Sequence, residues 1–254
     1  MVKKLSCIVL LLLSIPVFAW GPTGHRVTGK IAEVYLTKKA KKKLDQVLKG
    51  KSLAEVSTWM DEIRSDDQYD YTHDWHWVTL PDGMTYEQSE KNPKGDAIAS
   101  IERLMDELEK GGLSPLQEAE HVKILVHLIG DIHQPLHVGT GEDRGGNDVK
   151  VKWFRAESNL HRVWDSGMID HKKYSYTELA EIIDKTTKQD IEKWQAATVR
   201  DWAEESKALR EQVYDLPGDK NMGYKYVYHN WETVELRLLQ AGVRLAGVLN
   251  KIYG

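Results

Sequence analysis

The chain of 254 residues holds a single cysteine, Cys7, so neither a disulfide framework nor a cysteine-ligated zinc site is open to it. A surplus of positive charge is also missing. Thirty-five Lys and Arg face thirty-nine Asp and Glu, a formal net charge of −4, which excludes a polybasic surface as the default means of holding nucleic acid. A polyanionic partner would have to be drawn in by local charge or by a metal. After residue 19 no apolar run approaches the roughly 20 residues of a membrane span. Internal repeats, low-complexity tracts and Pro/Gly/Ser linkers are absent. So are the His-Glu-x-x-His, Gly-x-Ser-x-Gly and P-loop patterns, which removes zinc proteases, serine hydrolases and NTPases of those types.

What is present is a globular composition. The mean hydropathy of −0.52 is that of a soluble chain, and nine Trp with eleven Tyr supply a core with large side chains to bury, against the disordered alternative. Residues 1–19 read as a secretory signal. Lys3 and Lys4 form its charged start, Cys7 to Leu13 its apolar centre, and Val17-Phe18-Ala19 its cleavage site. The apolar stretch is too short to span a bilayer, so no membrane anchor is expected after cleavage. Cleavage would leave residues 20–254, beginning Trp20-Gly21-Pro22 without any cysteine, in the periplasm or outside the cell.

Hydrophobic spacing predicts an all-α chain. Thr23–Leu48 reads as one helix stopped by Gly50, and Leu53–Ile63 as a short amphipathic segment. Ile98, Ile101, Leu104, Met105 and Leu108 form a stripe closed by Gly111-Gly112, after which Ser114-Pro115 opens a helix running to about Ile132. Tyr176–Ala203 and Tyr224–Tyr253 read as long helices. The turn-rich segment after Gly139 breaks the pattern and leaves room for one short strand or hairpin near 148–154. Lys38–Lys43, with five lysines in six residues, reads as a solvated helix face.

Histidines beside aspartates carry the chemistry. His127 and Asp131 stand at i, i+4, one turn apart on one helix face, and His161 and Asp165 repeat the pair. His137 follows just beyond Pro135, where the helix should have ended, and Asp61 and His76 come earlier. Nitrogen and carboxylate donors without sulfur suit a hydrolytic zinc site. Were Trp20 the first residue, its free amine and carbonyl could chelate a metal together with His25.

These residues fall into ordered motifs: Trp-Gly-x-x-Gly-His (Trp20–His25), Trp-x-Asp (Trp59–Asp61), Trp-His (Trp75–His76), His-x3-Asp-x-His-Gln-Pro-Leu-His (His127–His137), Gly-Gly-Asn (Gly145–Asn147) and Asn-Leu-His-x3-Trp-Asp (Asn159–Asp165). In them the chain resembles the zinc-dependent single-strand-specific nucleases and 3′-nucleotidases of moulds and plants, relatives of the bacterial zinc phospholipases C. The resemblance runs in order from residue 20 to 165 and implies a single helical domain of that type over 20–254, in a bacterial member.

The resemblance also implies three zinc ions. One would take Asp61, His76, His127 and Asp131; a second, the amine and carbonyl of Trp20 with His25 and the other oxygen of Asp131; a third, His137, His161 and Asp165. Their charge exceeds that of three carboxylates, so a phosphodiester is attracted locally by an acidic protein. The implied mechanism has a hydroxide bridging the paired zincs attack phosphorus, with the third zinc stabilising the leaving 3′ oxygen and 5′-phosphorylated products. Asp61 and Asp131 would be catalytic, and Arg64 would neutralise developing phosphate charge. Trp77 would stack on a base, and Asn147 and Asn159 would bind substrate by hydrogen bonds. Substrates would be single-stranded DNA, RNA and 3′-nucleotides; no stable protein partner is implied. The family often has an aspartate where Thr79 stands, which leaves base preference open.

Two rival readings remain. A zinc phospholipase C would share the metal site, but its first His lies further from the Trp and its last ligand is typically Glu rather than Asp165. A non-catalytic helical metal-binding protein of the ferritin kind needs two Glu-x-x-His pairs, and Glu118-x-x-His121 has no partner. His73, His121, His133, His171 and His229 have no place in the motifs, and His133 should point away from the ligand face.

Overall fold

The computed structural model describes residues 20–254; the expected signal segment and its cleavage point lie outside the described residues. The chain runs through helices α1 (Pro22–Tyr35), α2 (Lys38–Val47), α3 (Leu53–Val56), α4 (Trp59–Glu62), α5 (Ala97–Lys110) and α6 (Pro115–Ile132). Then come α7 (Leu160–Arg162), α8 (Met168–His171), α9 (Tyr176–Ile183), α10 (Lys188–Ala196), α11 (Val199–Ala208), α12 (Arg210–Val213) and α13 (Tyr224–Tyr253). Tight 3-10 turns cover Ile63–Ser65, Asp67–His76 and Pro135–His137, and a wide π turn covers Val163–Gly167.

The all-α expectation holds, with a hairpin near the expected 148–154 and three further two-residue strands that were not expected. Strands β1 (Val78–Thr79) and β2 (Val138–Gly139) pair in parallel, and β3 (Lys150–Trp153) pairs with β4 (Ala156–Asn159) as an antiparallel hairpin. Strand β5 (Asn221–Met222) adds to β3 in parallel. Among the described residues no helix is long and apolar enough to cross a membrane.

Three helix boundaries differ from the sequence expectation, each for a local reason. The span expected as one helix over Thr23–Leu48 divides into α1 and α2, because Leu36 takes an extended backbone and Thr37 caps the new helix by accepting from Ala40 N. The span Tyr176–Ala203 divides into α9, α10 and α11. Thr187 with Asp190, and Thr198 with Asp201, form capping boxes that restart the helix each time. Hydrophobic period alone does not register such restarts when the apolar face continues across them.

Helix α13, about 45 Å long at the usual rise, is the spine. It packs against α1, α2, α5, α6, α9 and α10. One apolar core gathers α2, α5, α6 and the C-terminal half of α13; the other gathers α1, α7, α8, α9 and its N-terminal half. Tyr35 touches both. The lysines of α2 are exposed or half-exposed while Ala40 and Leu44 are buried, as a solvated face requires.

Candidate metal centre

The long α6 brings the first donors together. From His127 to Ile132 it is buried on every side, so its imidazole and carboxylate face other helices rather than water. Three groups of ligand-type atoms converge: His25, His127 and Asp131; Asp61, His76 and His127; and His137, His161 and Asp165. Within each, one donor atom per residue lies within 4.8 Å of the others.

His127 and Asp131 belong to the first pair of groups. Asp131 Oδ1 lies 3.3 Å from His25 Nε2, and its Oδ2 lies 2.9 Å from His76 Nδ1 and 3.4 Å from His127 Nε2. Asp61 Oδ1 is 3.8 Å from His127 Nε2. The rings of His25 and His127 stack with centroids 3.8 Å apart. Gly130 makes this possible, because a Cβ there would come within 2.8 Å of His25 Nδ1. In the third group, Asp165 lies 3.1 Å from His161 Nε2 and 3.8 Å from His137 Nε2.

Backbone carbonyls aim the rings. His127 Nδ1 donates to Ser57 O at 2.7 Å, His137 Nδ1 to His76 O at 2.6 Å, and His161 Nδ1 to Gly145 O at 2.6 Å. With Nδ1 carrying the proton, Nε2 is left as a lone-pair donor pointing into the site, the usual outer-shell arrangement of metal-binding histidines. The Gly-Gly-Asn loop can offer Gly145 O because Gly145 has φ +61° and a Cβ would sit 2.2 Å from Leu136 O. Gln134 Nε2 donates to Asp165 Oδ1 at 2.5 Å.

The donor atoms fit a cation. Both Asp61 oxygens, Asp131 Oδ1, both His25 nitrogens and the Nε2 atoms of His76, His127 and His137 are buried without a hydrogen-bond partner, an arrangement that costs free energy unless something else satisfies them. Burial, reinforced by neighbouring imidazoles, holds His25 and His76 well below the usual histidine range. Burial also lowers His127, although Asp61 and Ser57 O oppose it. Asp131 is pushed well above the carboxylate range by burial, then by the charges of Asp61 and Asp165, and Asp61 is raised chiefly by burial. Neutral imidazoles and carboxylates short of positive charge form the set that a divalent ion of the zinc type completes.

The remaining sequence-derived residues surround these groups. Trp20 is fully buried against Gly24, and its ring edge reaches the face of Gly130 beside His25. Gly21 N donates to Asp165 O at 2.8 Å, which ties the start of the described chain to the third group. Arg64 lies 3.8 Å from Asp61 Oδ1, one turn along as expected. Trp77 is half-buried, belongs to neither apolar core, and lines a cleft of about 370 Å³ with His73, Thr79, His137, Asn147 and His161. A second cleft of about 820 Å³ shares Asn147 and His161 and adds Asn159, Trp153, Phe154 and His171. Asn159 also caps α7, accepting from Arg162 N at 2.8 Å. Asn147 Nδ2 donates to Arg144 O at 2.9 Å.

Several contributors escaped the sequence reading. Gly130, Gln134 and the carbonyls of Ser57 and Gly145 shape the donors; Gln134 and Gly145 stood inside named motifs, but their parts in aiming the donors were not read from them. His73 and His171, set aside for want of a motif, line the two clefts. His133 is buried and turned elsewhere: its Nδ1 donates to Ile129 O, and its Nε2 accepts from Arg244.

A mostly helical scaffold that converges three histidine–carboxylate groups, with clefts beside the third, has the form of a metal-binding helical protein. The S1/P1 Nuclease family model matches residues 20–254, and the chain belongs to that family. It is 34% identical to Endonuclease 3 of Arabidopsis thaliana over 98% of this chain and 94% of that protein. It is 28% identical to Nuclease P1 of Penicillium citrinum, over 92% and 98% of the two chains. A shorter match of 27% identity, over 63% of this chain and 58% of the relative, is to Nuclease S1 of Aspergillus oryzae. The chain is therefore a hydrolase of nucleic-acid ester bonds.

Proposed function

We propose that residues 20–254 form one secreted or periplasmic domain, released from a signal segment at Ala19, that cleaves single-stranded DNA and RNA and also removes phosphate from 3′-nucleotides. The products would carry 5′ phosphates. The reading rests on three sets of buried histidine and carboxylate donors, the third of which borders two clefts of about 370 and 820 Å³.

Three zinc ions suit the donors: one on Asp61, His76, His127 and Asp131, one on His25, Asp131 and the Trp20 main chain, and one on His137, His161 and Asp165. Bound there, zinc would supply a water of lowered pKa and Lewis acidity toward phosphoryl and leaving oxygens. The chain's own residues do the rest. Asp131 offers one oxygen to each of two groups, so it fixes their spacing. Arg64 stands beside Asp61 to offset charge developing on the phosphate. Trp77 offers an aromatic face to a base, a contact indifferent to sequence. Asn147, in the wall between the clefts, has its side-chain oxygen available for a sugar or phosphate group, and Asn159 borders the same path.

The decisive experiment measures zinc in protein that begins at Trp20 and follows hydrolysis of single-stranded DNA with and without chelator. About three zinc per chain with chelator-sensitive release of 5′-nucleotides supports the reading. Zinc without nucleic-acid cleavage would redirect it to phospholipid head groups. A residue or tag retained ahead of Trp20 should empty one metal position and reduce turnover; full metal content and activity with a blocked N-terminus would contradict the amine ligand.

A further inference from the structure

Behind the C-terminal end of α6 lies an ionic cluster of two buried arginines and a part-exposed glutamate that touches none of the donor groups. Arg237 and Arg244 of α13 are 2% and 1% exposed, and both pair with Glu205 of α11. Arg244 binds both carboxylate oxygens, at 2.6 and 2.7 Å, and Arg237 shares one of them at 2.6 Å. Enclosing two guanidinium groups is costly, and well-packed apolar side chains would stabilise such a junction as well or better. The cluster's contacts show what it holds.

Some stay on α13 or tie it to its neighbours, from Arg237 to Gln240 and Trp202 O and from Arg244 to Trp194 O, and the rest reach the turn between Asp131 and His137. Arg237 Nε donates to His133 O at 3.1 Å, and its Nη2 donates to Ser206 Oγ at 2.7 Å. Ser206 in turn donates to Ile132 O at 2.6 Å. Arg244 donates to His133 Nε2 at 2.9 Å, which fixes the tautomer whose Nδ1 donates to Ile129 O at 2.7 Å. Three carbonyls of the last turn of α6 are thereby gripped from the side opposite the donors. From the donor side, Gln134 holds Asp165 and the backbone N–H of Leu136. The residues spanning Ile132 to His137 are thus fixed from both faces, and this turn alone separates Asp131, which serves the paired groups, from His137 of the third.

We propose that Arg237, Arg244, Glu205, Ser206 and His133 act as a positioning cluster that sets the distance between the paired metal groups and the third group. The inference rests on the reading of those groups as metal sites. A phosphodiester bound across both groups would depend on their separation, so a shift of the turn would alter reactivity even with every donor present. The cluster is built from α11 and α13, and this gives the C-terminal third of the chain, which supplies no donor, a part in the site.

The test is cobalt binding to the chelated protein, read by visible absorption, in the unaltered chain and in the Arg237→Lys and Ser206→Ala variants. Lysine keeps the charge but cannot hold His133 O and Ser206 together, and the serine change removes only one grip. The expected result is folded protein, by circular dichroism and melting, with a shifted cobalt spectrum and affinity weakened about tenfold or more, as for outer-shell partners of metal ligands. Variants that melt earlier yet bind cobalt with unaltered affinity and spectrum would overturn the proposal and leave a stability device. Failure of the unaltered chain to bind cobalt would overturn the metal-centre reading itself, and the proposal with it.

Discussion

At the scale of single residues, the site turns on how few atoms serve several purposes. Asp131 is fully buried and faces three imidazoles through two oxygens. Asp131→Ala should abolish nuclease activity and lower zinc content at both paired groups, measured by metal analysis and oligonucleotide turnover; wild-type zinc and rate would refute the bridging role. Trp77 offers the opposite case, a half-buried ring on a cleft wall. Trp77→Ala should raise KM on oligonucleotides by the loss of about 1–3 kcal/mol of stacking while kcat changes little. An unchanged KM would reduce Trp77 to a wall.

At the scale of elements, α6 shows a ligand's needs overriding helix propensity. Gly130 sits in the last turn of α6, between His127 and Asp131, where alanine would favour the helix by up to about 1 kcal/mol. A Cβ there would nevertheless meet the His25 ring, held between Asp131 and the face of His127. Gly130→Ala should therefore cost stability even in the chelated protein, because the buried His25 ring must shift, and should weaken zinc binding at the His25 group as well. Melting with and without zinc separates the two effects, and unchanged melting in both states would show that His25 yields freely. The restarts at Thr37, Thr187 and Thr198 carry a related lesson: capping chemistry was written in the sequence but is subtle beside a continuous apolar stripe.

At the scale of the whole molecule, metal, charge and stability are coupled. With chelator present, His25, His76 and His133 stay neutral when folded because burial holds them well below the range near 6.5 to which unfolding would restore them. A base lowered in the folded state favours folding above its unfolded pKa, so this contribution is lost as pH falls below about 6.5, at up to about 1.4 kcal/mol per pH unit for each group. The melting temperature of chelated protein should fall between pH 7 and 5. Asp131, raised by burial, has the opposite sign and weakens the metal-free fold as pH climbs above the carboxylate range. Zinc should relieve that penalty, raising the melting temperature at neutral pH and releasing protons on binding, which buffer-dependent calorimetric enthalpies would reveal. A zinc-independent melting temperature would count against a buried metal centre.

Much of this protein was legible before any coordinates. His127 with Asp131 and His161 with Asp165 lie at i, i+4, and His137 follows a proline stop, spacing that depends on local geometry a short segment settles for itself; Trp20, His25, Asp61 and His76 were placed by the family resemblance instead. The all-α class and the hairpin near 148–154 follow likewise from hydrophobic period and turn residues. Other features depended on distant segments meeting. The His25–His127 stack needs α1 against α6, and the Ser57 and Gly145 carbonyls are backbone groups whose neighbours no side-chain pattern announces. The cluster of Arg237, Arg244 and Glu205 looks in sequence like charge bordering an apolar stripe. Only packing of α11 and α13 against the end of α6 removes water from the two guanidinium groups, and burial is what turns ordinary surface charges into fixed directional contacts.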